Sequence, residues 1–221
     1  MKTALVIGAT GLVGSQLVRL LLDDARFGQV LVFARRSTGL KHAKLKEHIT
    51  DFDKLDAVRD AIRGDVLFSS LGTTIKTAGS KERQYEIDYT YQYEFAKRAA
   101  QNGVKTYVLI SAAGASAGSP TFYMRMKGEL ERDVAKLPFR HIHILQPGFL
   151  DGERSEHRPG EQFGLAALKL INRAGLLRRY RPILGRTVAR AMIAASFDES
   201  APLKKHSPTT LFVLGESSHT R

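Results

Sequence analysis

The chain has no cysteine, which excludes a disulfide-stapled scaffold, a thiol nucleophile and every cysteine-ligated zinc or iron–sulfur centre. It has no tryptophan and only 8% aromatic residues, and it carries no nucleic-acid recognition motif, so sequence-specific nucleic-acid binding is not expected. No apolar run approaches the roughly 20 residues that span a bilayer. Acid is scarce: 22 Asp and Glu stand against 34 Lys and Arg, and the net charge of +12 calls for an anionic partner without naming it. Residues 2–14 combine a basic start with an apolar run, but three glycines interrupt it and no small-residue cleavage site follows. On these grounds a cytoplasmic protein is expected.

What is present is an ordinary globular composition, 43% hydrophobic over 221 residues, enough for a core without staples. Short β-branched runs (Thr3–Gly8, Gln29–Phe33, His48–Thr50, Asp65–Ser69, Val104–Ile110, His141–Leu145, Thr210–Leu214) alternate with helical patterns at Leu12–Leu22, Lys54–Ile62, Arg83–Gln101 and Phe122–Ala135. That alternation predicts an α/β fold, a doubly wound parallel sheet with helices on both faces. After Leu145 the rhythm changes to a glycine- and proline-punctuated excursion, then helical stretches at Leu165–Ala174 and Arg186–Ser196. The expectation is one domain over residues 1–221, with 146–196 forming a small C-terminal cap over the carboxyl ends of the strands.

The first strand runs into Gly8-Ala9-Thr10-Gly11-Leu12-Val13-Gly14 and then a helix. A pyrophosphate needs backbone N–H groups brought close by a tight turn, and side chains there would obstruct it. Gly8 permits the turn, Gly11 the approach and Gly14 the packing of helix on strand, with Thr10, Leu12 and Val13 completing the loop. Strand before and helix after make this a Rossmann dinucleotide site rather than a stray glycine pattern. The second strand ends Phe33-Ala34-Arg35-Arg36, where an NAD-specific site would hold an acid for the ribose 2′-hydroxyl. Two arginines there suit a 2′-phosphate, through charge-assisted hydrogen bonds of roughly 1.5–3 kcal/mol each. The plainer alternative is a pair of solvated surface arginines. NADP, as NADPH, is the expected cofactor.

The GxxGxxG spacing resembles the short-chain dehydrogenase/reductase superfamily. The runs Leu71-Gly72-Thr73-Thr74, Tyr123 to Glu131, Gln146-Pro147-Gly148-Phe149-Leu150 and Arg158-Pro159-Gly160-Glu161 resemble its atypical, Tat-interactive-oxidoreductase-like branch. The resemblance implies NADP binding and reductase chemistry. By position it puts Asp51 and Phe52 beside adenine, and Leu71, Gly72 and Thr73 along the dinucleotide. Pro147, Gly148 and Phe149 would pass the nicotinamide, with Phe149 as an apolar wall.

It also implies catalytic roles. Tyr123-x-x-x-Lys127 has the superfamily's pair spacing, one helical turn on one face. A phenol near an ammonium is the better proton donor and acceptor for hydride chemistry. A second Tyr-x-x-x-Lys, Tyr93 and Lys97, falls on the helix before the fifth strand, where the family fold puts it away from the nicotinamide. Ser111 at the fifth strand's end is the expected carbonyl orienter, with Ser116 as substitute, since the usual Ser-Ser pair reads Ser111-Ala112. The helix asparagine of many members is Asp88 here, which puts the usual proton relay in doubt.

His141-x-His143 could offer two metal ligands, but no third has suitable spacing, and no metal is expected. Six arginines and no acid lie between Arg173 and Arg190; such a run is usually a solvated face, or else serves an anionic substrate. The expectation is an NADP-dependent reductase of a small, preferably anionic carbonyl compound, with room for a homo-oligomer. The rival is a non-catalytic NADP-binding redox sensor or interaction module.

Overall fold

The computed structural model describes residues 1–151 and 182–216. The first strand, β1 (Lys2–Ile7), leads through the glycine loop to α1 (Leu12–Asp23), and β2 (Phe27–Ala34) and β3 (Leu45–Ile49) follow. A 3-10 helix, Phe52–Ala61, precedes β4 (Val66–Ser69), and two short helices come next, α2 (Ile75–Ala78) and α3 (Lys81–Tyr85). A π-helical turn, Glu86–Thr90, joins α3 to α4 (Tyr91–Gln101), and β5 (Thr106–Ile110), α5 (Phe122–Val134) and β6 (His141–Leu145) complete the regular part. Then come β7 (Leu150–Asp151), β8 (Ile183–Leu184), α6 (Gly185–Ala195), β9 (Leu203–His206) and α7 (Pro208–Glu216).

Seven strands form one parallel sheet in the order β3-β2-β1-β4-β5-β6-β9, the doubly wound arrangement expected from the alternation. Side-chain alternation along each strand feeds two cores. Ala4, Val6, Val30, Val32, Val66 and Phe68 meet α1, α6 and α7 on one face. Leu5, Ile7, Leu31, Phe33, Leu67 and Leu109 meet α4, α5 and the 3-10 helix on the other. The seven parallel strands therefore have their carboxyl ends on one edge, where the glycine loop, Arg35 and Arg36, Leu71–Thr73, Ser111 and Pro147 follow them.

The C-terminal end differs from expectation. Thr210–Leu214 is no strand but lies in α7: Pro208 takes the first helical position and the Ser207 hydroxyl accepts from the Thr210 N–H at 3.4 Å. The last strand is the polar Leu203–His206 beside β6. Residues 185–195, expected in the cap, form a helix packed on α1 in the layer below the sheet edge. The loop 152–164, the helical pattern at 165–174 and most of the arginine stretch lie outside the described residues.

The histidines of β6 have partners within the protein. His141 Nδ1 is 3.1 Å from the Ala201 carbonyl, and His143 Nδ1 is 3.1 Å from His206 Nε2 on β9. Among the described residues, no group of three or more His, Cys, Asp or Glu could hold a metal ion. Burial, and next the neighbouring His206, push His143 down to about 4, and burial lowers His206 as well. A histidine depressed on folding binds its proton more readily in the unfolded chain, so stability is full above the ordinary value of 6.5 and falls as pH drops toward about 4. Urea midpoints are expected to decline across that window, and less steeply in His143→Gln. Identical pH slopes for the two proteins would contradict this.

Candidate functional site

The glycine loop is shaped as a cradle. Gly8 has φ +80°, and a side chain there would collide with the backbone of Ser70 and Leu71. A Cβ at Gly14 would collide with the Gly8 carbonyl and stand 2.7 Å from Ser70 Oγ. One added at Gly11 would stand 3.3 Å from the Gly8 oxygen. No side chain caps α1, whose N-cap is Gly11, and Ser15 N–H is the first to find a carbonyl, that of Gly11 at 3.0 Å. The N–H groups of Leu12, Val13 and Gly14 thus have no acceptor among the described residues. Three uncommitted donors beside a loop without side-chain bulk fit a pyrophosphate.

The segment that follows β2 is open to solvent. Arg35 and Arg36 are exposed, and among the described residues neither forms an ion pair or hydrogen bond. Asp51 is exposed, and its carboxylate accepts from Asp53 N–H at 3.1 Å, starting the 3-10 helix. The Phe52 side chain is 6% exposed and packs on Tyr91 and Phe95.

The next segment carries the least expected geometry. Thr73 N–H donates to Asp88 Oδ1 at 2.7 Å, and Lys127 Nζ lies 3.6 Å from Asp88 Oδ2, with these two charged side chains 4% and 1% exposed. The π-helical turn Glu86–Thr90 inserts an extra residue into the helix and carries Asp88 toward α5. Gln92 Nε2 donates to the Asp88 carbonyl at 2.6 Å, and Ser69 Oγ donates to Gln92 Oε1 at 2.6 Å. Tyr85 and Tyr89 donate to Glu129 and Asp133 at 3.0 and 2.9 Å, bracing α5 along the same line. Asp88 thus gives the buried lysine an ion-pair partner within the protein.

Tyr123, one turn before Lys127, is 39% exposed. The alternative pair lies elsewhere: Tyr93 stacks on Tyr89 at 6.0 Å, and Lys97 lines a polar groove with Asp56 and Glu94. Ser111 is buried, and its hydroxyl donates to Glu131 Oε1 at 2.5 Å. Glu131, 2% exposed, also accepts from Gln146 Nε2 at 2.9 and 3.1 Å and from Lys205 Nζ at 2.7 Å. The proton with which Ser111 was expected to hold a carbonyl is therefore given to a carboxylate. Ser116 is exposed, in a turn lying over Gly128, where a side chain would collide with the Ser116 and Ala117 backbone.

Sequence reasoning missed Glu131, Gln146 and Lys205. One signal was available: Lys127 and Glu131 fall on the stripe of Met126, Leu130 and Val134, and charge on an apolar face implies a buried pair. Pro147 accepts from Ala113 N–H at 2.9 Å, tying the turn after β6 to the loop after β5. Phe149 is 52% exposed, and its carbonyl accepts from Ile183 N–H at 2.8 Å. Leu71, Gly72 and Thr73 run along the same edge, a Cβ at Gly72 falling 3.6 Å from Asp88 Oδ2.

Comparison with known proteins agrees with this geometry. The family described as NAD(P)H-binding matches residues 8–162. A relative in Meyerozyma guilliermondii, named Protein FMP52, mitochondrial, is 34% identical over 215 residues, covering 96% of this chain and 91% of its own. The protein of that name in Saccharomyces cerevisiae is 38% identical over 157 residues, 70% of this chain and 68% of its own. Among solved structures, MoeE5 in complex with UDP-glucose and NAD has a TM-score of 0.69 at 16% identity, covering 98% of this chain and 82% of that one. A UDP-glucose 4-epimerase of Thermotoga maritima with UDP-glucose gives 0.66 at 15%, covering 99% and 84%. At such identity the likeness is one of fold.

The relatives' names overturn the expectation of a cytoplasmic protein. Composition argued only against export and a membrane span, and neither argument separates cytosol from organelle. Among the described residues no helix is long and apolar enough to cross a membrane. With the glycine cradle, the sheet order and these relatives in agreement, the chain belongs to the NAD(P)H-binding family.

Proposed function

We propose that the protein is an NADPH-dependent reductase of a small carbonyl or related compound, with Tyr123 as proton donor. The observation that carries this reading is the Tyr123–Lys127 turn of α5. A partly exposed phenol stands one turn from a buried, ion-paired lysine, on the sheet edge that also carries the uncommitted N–H donors of α1. NADPH, when bound, supplies the hydride. The N–H groups of Leu12, Val13 and Gly14 hold the pyrophosphate, and Lys127 anchors the nicotinamide ribose. Tyr123 Oη gives its proton to the carbonyl oxygen as the carbon is reduced. Ser111, whose hydroxyl donates to Glu131, leaves Tyr123 as the donor to the carbonyl oxygen. The one-domain reading, with a cap built from residues that follow β6, belongs to the same proposal.

Preference for NADPH rests on Arg35 and Arg36. Replacing both by Ala is expected to weaken NADPH at least about tenfold, the loss of one charge-assisted contact, and to leave NADH unchanged. Fluorescence titration of both cofactors checks it, and equal affinities in the unsubstituted protein would end the 2′-phosphate assignment. A panel of carbonyl compounds followed by NADPH absorbance tests the activity.

The second reading is a non-catalytic NADP sensor. It is favoured by the internal engagement of Lys127 with Asp88 and Ser111 with Glu131. Tight cofactor binding without turnover across the panel would decide for it.

A further inference from the structure

We propose that Arg186 is a ligand of the cofactor's pyrophosphate, reaching it from the first turn of α6. The inference rests on the dinucleotide site described above and adds a cation to it: the loop Gly8–Gly14 contains no lysine or arginine, so its own donors, backbone N–H groups and the Thr10 hydroxyl, are all neutral.

The placement comes from Gly185. A Cβ there would stand 2.9 Å from the Leu12 carbonyl oxygen and 3.2 Å from Leu12 Cγ, so α6 begins against the residue that opens α1. Leu12 also carries one of the three uncommitted N–H groups. Arg186 follows directly, and side chains on a helix lean toward its N-terminus, here toward that junction. An arginine stem spans more than a helical turn of about 5.4 Å, so the guanidinium can cover the mouth of the cradle.

Charge gives the second argument. Arg186 and Arg190 lie four residues apart on α6, neighbours on one helix face. Among the described residues neither forms an ion pair or hydrogen bond, and α6 has no acidic residue. Like charges at this spacing destabilise a helix, and a bound anion would relieve the repulsion. Burial, and then Arg186, hold Arg190 below the usual guanidinium range. A pyrophosphate seated on the N–H groups of α1 is the anion this arrangement lacks.

The experiment is titration of the full chain with NADPH and with NADH, comparing Arg186→Ala, Arg186→Lys and the unsubstituted protein. Both cofactors carry the pyrophosphate, so Arg186→Ala is expected to weaken both by the same factor, about tenfold. Arg186→Lys should retain most of the affinity. The cofactor-free melting temperature of Arg186→Ala should not fall, because a repulsion is removed. Unchanged affinity for both cofactors would overturn the proposal. So would a loss confined to NADPH, which would place Arg186 on the 2′-phosphate, or a drop in cofactor-free melting, which would make it a structural group. The 2′-phosphate reading fails separately, through equal NADPH and NADH affinity in the unsubstituted protein.

Discussion

Tyr123→Phe is expected to lower turnover by about 10²–10⁴ while leaving NADPH affinity unchanged. The substitution keeps the ring on α5 and removes only the transferable proton. Tyr123 is 39% exposed, so the lost hydroxyl leaves no buried polar group without a partner, and melting should not move. Tyr93→Phe is the control, since its ring stacks on Tyr89 in the helix before β5. Stopped-flow decay of NADPH absorbance with any active compound from the panel reads the effect. Activity lost in Tyr93→Phe and kept in Tyr123→Phe would reverse the choice of pair.

Lys127→Met should have the largest effect on stability. It leaves the Asp88 carboxylate, 1% exposed, without the ammonium 3.6 Å away. Breaking a buried pair from one side costs about 3–5 kcal/mol. In a chain of this size that corresponds to a melting temperature lower by about 6–20 °C. The double substitution Lys127→Met with Asp88→Asn should recover more than half of the loss, because an amide oxygen can still accept from Thr73 N–H without carrying a charge. Asp88→Asn alone should lose less than Lys127→Met, since a remaining ammonium can reach toward the ligand edge. Melting curves of the four proteins form a cycle that isolates the pair. Additive losses would mean that the two side chains do not interact.

The central sheet was legible because its strands are buried on both faces and read as apolar, β-branched runs separated by helical periods. His141–Leu145 matched residue for residue, and the start of α1 followed from the glycines. The last strand was not legible: Leu203-Lys204-Lys205-His206 has no apolar alternation because a sheet edge needs only one apolar neighbour. Thr210–Leu214 carried the β-like composition instead, and a proline and a capping serine just before it decided for helix. Within the site, the glycine cradle depends on spacing and could be read directly. The partners of Ser111 and Lys127 could not be, because Glu131, Lys205 and Asp88 meet them through tertiary packing from α5, β9 and a π-helical turn. A π-turn leaves no periodic mark; it shows in the sequence only as an uninterrupted helix from 83 to 101.

The polar last strand also limits how far the sheet can grow. Among the described residues β9 pairs only with β6 and so forms the end of the sheet. Lys204 is held by Asp198 at 2.6 Å and Lys205 by Glu131 at 2.7 Å. An incoming strand would have to lie beside these two tethered ammonium groups and strip their water. Lysines on an open edge are a common guard against edge-to-edge aggregation. Here one of them is also fastened to the carboxylate that accepts from Ser111, so a lysine of the last strand also helps set the geometry of the proposed active site.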